Sequence, residues 1–216
     1  PCKKISGKIR NFLCVASPHK REGVDILLKA FYTAFKDIGD VRLTLKLSYN
    51  TDNSKPFEIP EFKKLLSYYS DILGKRLVVI DKKISEKEMG ELYRNSDIYF
   101  SLTRAESFGL CFLEAVACGK WNICVNYSGQ CDFLDENNSI FISHKPVEAN
   151  SYLYEKTDKS QYISEPFIDD CIKKLKLVYN SGINSFPNIK NDISHYYWNE
   201  ISKEFLNIIT AANNYH

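Results

Sequence analysis

Two apolar segments, joined by a short polar turn and a glycine-led helix, constrain this chain more than any other stretch. DIYFSLT (97–103) reads as a buried strand, ESFGLCFLEAVACGK (106–120) as a turn and helix, and WNICVNY (121–127) as the next strand. Phe108-Gly109-Leu110 stands where the helix begins. Strand, loop, helix, strand is the repeating unit of a parallel α/β sheet. In such sheets ligands settle at the carboxyl ends of the strands, against helix N-termini. A helix start offers unpaired N–H groups and partial positive charge, which suits a phosphate. Gly109 lets a ligand approach the backbone with no side chain in the way.

The same alternation runs along the chain. RNFLCVA (10–16) predicts a first strand, and the polar loop SPHKRE leads into a helix from Gly23 to Phe35, with Ile26, Leu27, Ala30 and Phe31 at helical spacing. VRLTLKLSY (41–49) alternates as strand two, and 60–73 is a helix with Pro60 in its first turn. RLVVID (76–81) is strand three. Ser85 starts a helix to Arg94, and Glu88 completes a Ser-x-x-Glu capping box. SIFIS (139–143) is strand six. From His144 to Ser164 the pattern breaks into a polar, tyrosine-rich stretch with no period, read as a loop. Helices over 166–180 and 191–212 close the chain, the last with Trp198, Ile201, Phe205 and Ile208 on one face. The expected fold class is α/β, a Rossmann-like doubly wound parallel sheet. It is read as a single domain over 1–216 with C-terminal helices from 166 to 212.

Composition narrows the function classes. Hydrophobic residues at 44% and charged residues at 26% suit an ordinary globular protein. A net charge of +2 gives no bulk electrostatic case for a nucleic-acid partner. No apolar run is long enough to span a bilayer and no signal-peptide pattern is present, so a cytoplasmic location is expected. The seven cysteines form no C-x-x-C pair, and Cys111, Cys118 and Cys124 read as buried free thiols. The four histidines are scattered, so no metal site is expected. A chain opening at Pro1 reads as a piece of something longer.

Glu106 and Glu114 lie eight residues apart. Along a helix that spacing rises about 12 Å, whereas hydrolytic carboxylate pairs stand about 5–9.5 Å apart. The spacing disfavours a glycosidase pair. It suits two carboxylates that accept hydrogen bonds from hydroxyls on different parts of one extended ligand. Glu114 also reads as a solvated or paired charge, and Glu106 as a helix-terminus charge held by the dipole.

These residues resemble the E-x7-E motif of retaining GT-B glycosyltransferases of family 4. FLCVASPHKREGVDILLKAFYTAF (12–35) resembles the family's first strand, phosphate loop and helix, and ISEKEMGELYRNSDIYFSLTRAESFGL (84–110) its central stretch. NYSGQCDFL (126–134) is similar to the loop after the motif helix, and SEPFIDDCIKKLKLVYN (164–180) to a late helix in a subset of members. The resemblance implies the C-terminal, donor-binding half of a GT-B fold. The implied reaction moves a sugar from a nucleotide-sugar to an acceptor hydroxyl with retention of configuration. Glu106 would then hold hydroxyls of the transferred sugar as the catalytic carboxylate, and Glu114 those of the ribose. Ser107, Phe108, Gly109 and Leu110 would give N–H groups to sugar and diphosphate, and Gly129 would allow close backbone approach. No cofactor or metal is implied; the UDP- or GDP-linked sugar is a substrate. The implied partners are a sugar or lipid acceptor and an N-terminal GT-B domain outside this chain. Lipid acceptors add membrane association to the cytoplasmic expectation.

Three positions depart from the family pattern. Ser17 stands where an arginine follows the first strand, and Glu22 where a lysine precedes the helix glycine. Lys20 and Arg21 are the expected replacements, with Lys46 within reach of the same site. Trp121 stands where a proline usually follows the motif helix. Ser17 and Glu22 favour a competing reading, a degenerate nucleotide-binding or interaction module of the same fold. Glu106, Gly109 and Glu114 weigh against it. A nucleotide-binding domain outside this family is a third reading, without a Gly-x-Gly-x-x-Gly or Walker A motif to support it.

Overall fold

The computed structural model describes residues 9–48, 60–149, 161–182, 189 and 193–213, with side chains as far as 210. Six strands form one sheet: β1 (Asn11–Ala16), β2 (Arg42–Leu47), β3 (Leu77–Ile80), β4 (Ile98–Phe100), β5 (Trp121–Val125) and β6 (Ser139–Ile142). Their order is β3-β2-β1-β4-β5-β6, and every neighbouring pair is parallel. The crossovers carry α1 (Val24–Phe35), α2 (Pro60–Leu73), α3 (Glu86–Asn95) and α4 (Leu110–Ala117), and α5 (Ile168–Ser181) follows the sheet. The doubly wound Rossmann-like sheet expected from the alternation is the observed one.

The period of two along β1 divides the core. Phe12, Cys14 and Ala16 belong to the larger apolar cluster, with Leu27, Phe31 and Phe35 of α1 and Leu175 and Val178 of α5. Leu13 and Val15 belong to the smaller cluster on the other face, with Tyr93 of α3 and Phe112 and Ala115 of α4. Phe12 packs on Phe31, Phe35 and Phe100 with ring centroids 5.6, 5.5 and 6.2 Å away. It therefore joins strand, helix and neighbouring strand in one aromatic contact.

Helix ends follow local chemistry. The Ser85 hydroxyl accepts from the Glu88 N–H, while the Glu88 carboxylate accepts from the Ser85 N–H at 2.7 Å, completing the expected capping box. Lys120, buried just before β5, donates to the Arg94 and Ser96 carbonyls at 2.9 and 2.7 Å and so closes the end of α3. Trp121 opens β5 half-buried against the larger cluster.

The stretch after His144 is not simply a loop. β7 (His144–Glu148) and β8 (Tyr162–Pro166) pair antiparallel as a separate hairpin, while 150–160 lie outside the described residues. β7 has no fully buried residue, so it carries no apolar alternation and its strand character comes from pairing. The last helix, α6 (Trp198–Asn213), starts later than the periodicity suggests, after a 3-10 turn at Ser194–Tyr196. Its apolar face is solvent-exposed, with Trp198 at 82% and Ile208 at 66% exposure. Among the described residues no helix is long and apolar enough to cross a membrane.

Truncating the 1%-exposed Phe12 to alanine should destabilise the fold by about 3–5 kcal/mol. Urea unfolding followed by circular dichroism measures this; a loss under about 1 kcal/mol would mean that the aromatic cluster relaxes around the void.

Candidate functional site

β1 and β4 are neighbours in the sheet, yet their following helices pack on opposite faces, α1 in the larger cluster and α4 in the smaller. The two connecting loops must therefore diverge, and a crevice opens at the carboxyl ends of the strands. It holds a cavity of about 400 Å³. The loop after β1 contributes Ser17, His19, Arg21 and Glu22; the turn after β4 contributes Glu106 through Gly109, continued by Leu110, Cys111 and Phe112 of α4.

The turn before α4 is braced from behind. Gly109 caps the helix at φ +91°, where a side chain would be strained and a Cβ would stand 2.9 Å from the Phe112 ring. The Gly129 N–H donates to the Glu106 carbonyl at 3.1 Å, and a Cβ on Gly129 would lie 2.0 Å from the Ser107 carbonyl oxygen. Phe108 packs on Phe133 and on Tyr196, with centroids 5.3 and 5.9 Å away. The helix begins at Leu110, so Glu106 lies in the turn and not on the helix. Glu106 and Glu114 are therefore not separated by eight residues of helical rise.

The charges in the cavity are interlocked. Arg21 Nη2 is 2.7 Å from Glu22 Oε1, Arg21 Nη1 is 3.8 Å from Glu106 Oε2, and Nη1 also donates to the Ala105 carbonyl. The Ser17 hydroxyl donates to the same Glu22 Oε1 at 2.9 Å. Burial pushes the Glu22 carboxyl above the usual carboxylate range; Arg21 and Ser17 pull it back, and Glu106 adds to the rise. Burial and the Arg21 charge lower the His19 imidazole.

Beneath this loop lies a buried guanidinium that sequence reasoning missed. Arg104 is 2% exposed. It meets Asp25 through two bonds of 2.9 Å and Glu165 through bonds of 2.6 and 3.2 Å, and it donates to the Lys20 carbonyl. Its own N–H donates to the Arg21 carbonyl at 2.7 Å, and its carbonyl accepts from the Ser164 N–H at 2.9 Å. Burial alone would lower the guanidinium pKa; the two ion pairs reverse this and hold it above its ordinary value. Arg104 thus ties the loop after β1, the turn after β4 and the β7–β8 hairpin together. Within SLTRAE it looks like any solvated charge, so only the fold reveals it.

Seven of the ten expected site residues line the cavity: Ser17, Arg21, Glu106, Ser107, Phe108, Gly109 and Leu110. Three do not. Lys20 is exposed and faces a neighbouring recess with His19, Asp25, Glu61 and Phe62, because the 3-10 turn Lys20–Glu22 sends successive side chains in different directions. Gly129 stands behind Ser107, where its missing side chain permits backbone packing. Glu114 is exposed on α4 and accepts a 2.7 Å hydrogen bond from the buried Tyr93 hydroxyl. Burial, with Cys111 and Glu114 alongside, raises the Tyr93 phenol. Lys46 is buried and donates to the Leu47 carbonyl; it does not line the cavity.

Replacing Arg104 by methionine leaves Asp25 and the largely buried Glu165 without their partner. The expected destabilisation is about 3–5 kcal/mol, with faster amide hydrogen exchange in residues 20–25 and 162–165. Exchange that rises equally across the whole sheet would count against a local clamp.

The family model for glycosyl transferases group 1 matches residues 3–156. Among solved structures, the C-terminal domain of a glycosyl transferase group 1 family protein (LpcC) from Francisella tularensis is 20% identical with a TM-score of 0.51, over 64% of this chain and 70% of that one. Sucrose-phosphate synthase from Thermosynechococcus elongatus is 17% identical with a TM-score of 0.69, over 96% of this chain and 46% of its own. An S. aureus TarM mutant in complex with fondaparinux, α-GlcNAc-glycerol and UDP is 14% identical with a TM-score of 0.61, over 96% and 36%. The chain thus spans less than half the length of the latter two. No curated protein sequence gives a significant match. The chain belongs to the group 1 glycosyl transferase family, and its fold is that of a Rossmann-like GT-B C-terminal domain.

Proposed function

We propose that this chain is the donor-binding domain of a retaining glycosyltransferase, which moves a sugar from a nucleotide-sugar to an acceptor hydroxyl. The observation that carries the reading is the crevice between β1 and β4. Glu106 and the whole turn Ser107–Leu110 converge there with Arg21. A cavity of about 400 Å³ lies in the range of small-molecule sites. The N-terminus of α4 and the Arg21 guanidinium would bear the negative charge that grows on a departing diphosphate. Glu106 would accept hydrogen bonds from the transferred sugar. Glu114, oriented by Tyr93, would accept them from the ribose further along the nucleotide. Retention rests on the resemblance of the two-glutamate motif. In this reading the donor is UDP- or GDP-linked and no resident metal or cofactor takes part. UDP is bound in the TarM structure, which favours a uridine donor as the first to test.

A GT-B reaction needs the acceptor held against the donor by an opposing domain, and holding two reactants in register is worth several kcal/mol of barrier. We therefore assign the sugar or lipid acceptor to a partner domain outside these 216 residues. A second reading, a degenerate nucleotide-binding or interaction module, draws on one observation. Among the described residues the cavity carries two carboxylates, Glu22 and Glu106, against one guanidinium already paired with both.

Calorimetric titration separates the two readings. UDP or GDP should bind more tightly than uridine or guanosine, and Glu114→Ala should weaken UDP about tenfold while leaving a 2′,3′-dideoxy analogue unaffected. No binding of UDP, GDP or ADP at millimolar concentration would favour the degenerate module. Equal losses for both ribose forms would make Glu114 a structural residue.

Mixed with UDP-sugars and a panel of sugar and lipid acceptors, the 216-residue chain alone should yield no transfer product. Turnover by the isolated chain would overturn the division of labour between domains.

A further inference from the structure

We infer that Glu22 limits the affinity of the cavity for diphosphates, because its carboxylate competes with the ligand for the Arg21 guanidinium; the inference rests on the donor-site reading above. Among the described residues lining the cavity, Arg21 is the one permanent cation. Its Nη2 is 2.7 Å from Glu22 Oε1, and the Glu22 side chain is 11% exposed against 35% for Arg21. A charge-assisted bond in so dry a setting is stronger than a surface ion pair.

The carboxylate cannot follow the guanidinium toward a ligand. The Ser17 hydroxyl, just after β1, donates to the same Oε1 at 2.9 Å and holds it in place. Among the described residues, the cation whose charge acts on Glu22 is this same Arg21. Glu106, in the turn before α4, repels it. The thiols of Cys14 in β1 and Cys111 in α4 are held protonated, Cys14 by burial well above its ordinary value and Cys111 by burial up to about 12. A diphosphate that recruits Arg21 must therefore strand a buried carboxylate or drive it to take up a proton, and either effect is subtracted from the binding free energy. The nucleoside part of a ligand makes no such demand.

Glu22→Gln keeps an acceptor for Ser17 and removes the charge. Titrated at pH 7, this variant should bind UDP about tenfold more tightly than the unsubstituted chain, or better, with uridine binding unchanged. Adding Arg21→Met to Glu22→Gln should cancel the gain. Glu22→Ala, which removes the carboxylate without adding bulk, should reproduce it, and thermal melting checks that each variant is folded. If the unsubstituted chain binds UDP and neither variant binds it more tightly, the role assigned to Glu22 is wrong and the donor site stands. The same holds if the gain survives Arg21→Met. If neither the unsubstituted chain nor the variants bind UDP or GDP, the donor-site reading fails and the inference falls with it.

Discussion

The buried guanidinium of Arg104 meets carboxylates from two distant parts of the chain, Asp25 at the start of α1 and Glu165 in β8. Each of these contacts ties a different segment to the strand-end turn that holds Arg104. Asp25 carries the loop after β1, which holds Arg21 and Glu22. Glu165 carries the hairpin, which has no place in the main sheet. A lone buried cation would be expensive to desolvate, whereas one with two bidentate carboxylate partners and a carbonyl is satisfied. The geometry of the loop facing the cavity is therefore inherited from a polar core beneath it.

The two sides of the crevice are built on different principles. The Ser107–Gly109 side is shaped by packing: Gly109 at positive φ, Gly129 against the Ser107 carbonyl, and Phe108 on Phe133 and Tyr196. Its backbone conformation is fixed by packing within the protein, a preorganisation that the proposed anion site would use. The Ser17–Glu22 side is shaped by ion pairs, in which Arg21 already has partners. In the proposed donor site, affinity for a charged ligand would be a contest between internal and external anions. A fold that supplies a rigid turn at the switch point can keep the same crevice while the facing loop changes its charge balance.

The sequence alone determined the α/β class and the parallel sheet, and it singled out the turn before α4 as the candidate ligand site. These follow from local, periodic physics. Apolar runs of strand length alternate with helical spacing, Ser85 and Glu88 write a capping box, and Gly109 marks a helix start. Within the described residues the strand assignments lost a residue or two at their ends, except the fourth, read over 97–103, which is a strand only over Ile98–Phe100. Legibility failed where structure comes from pairing or from charges far apart in sequence. The β7–β8 hairpin has no apolar alternation on β7 and exists because two polar strands pair. Lys20 and Arg21 are adjacent cations of equal promise in the sequence, and only the direction of the 3-10 turn puts Arg21 in the cavity and Lys20 beside it. Tyr93 reaches Glu114 across 21 positions, and Arg104 reaches Asp25 and Glu165 across 79 and 61. No periodicity encodes such pairs. Tertiary structure decided them because a buried charge takes whatever partner the folded chain brings within hydrogen-bonding distance.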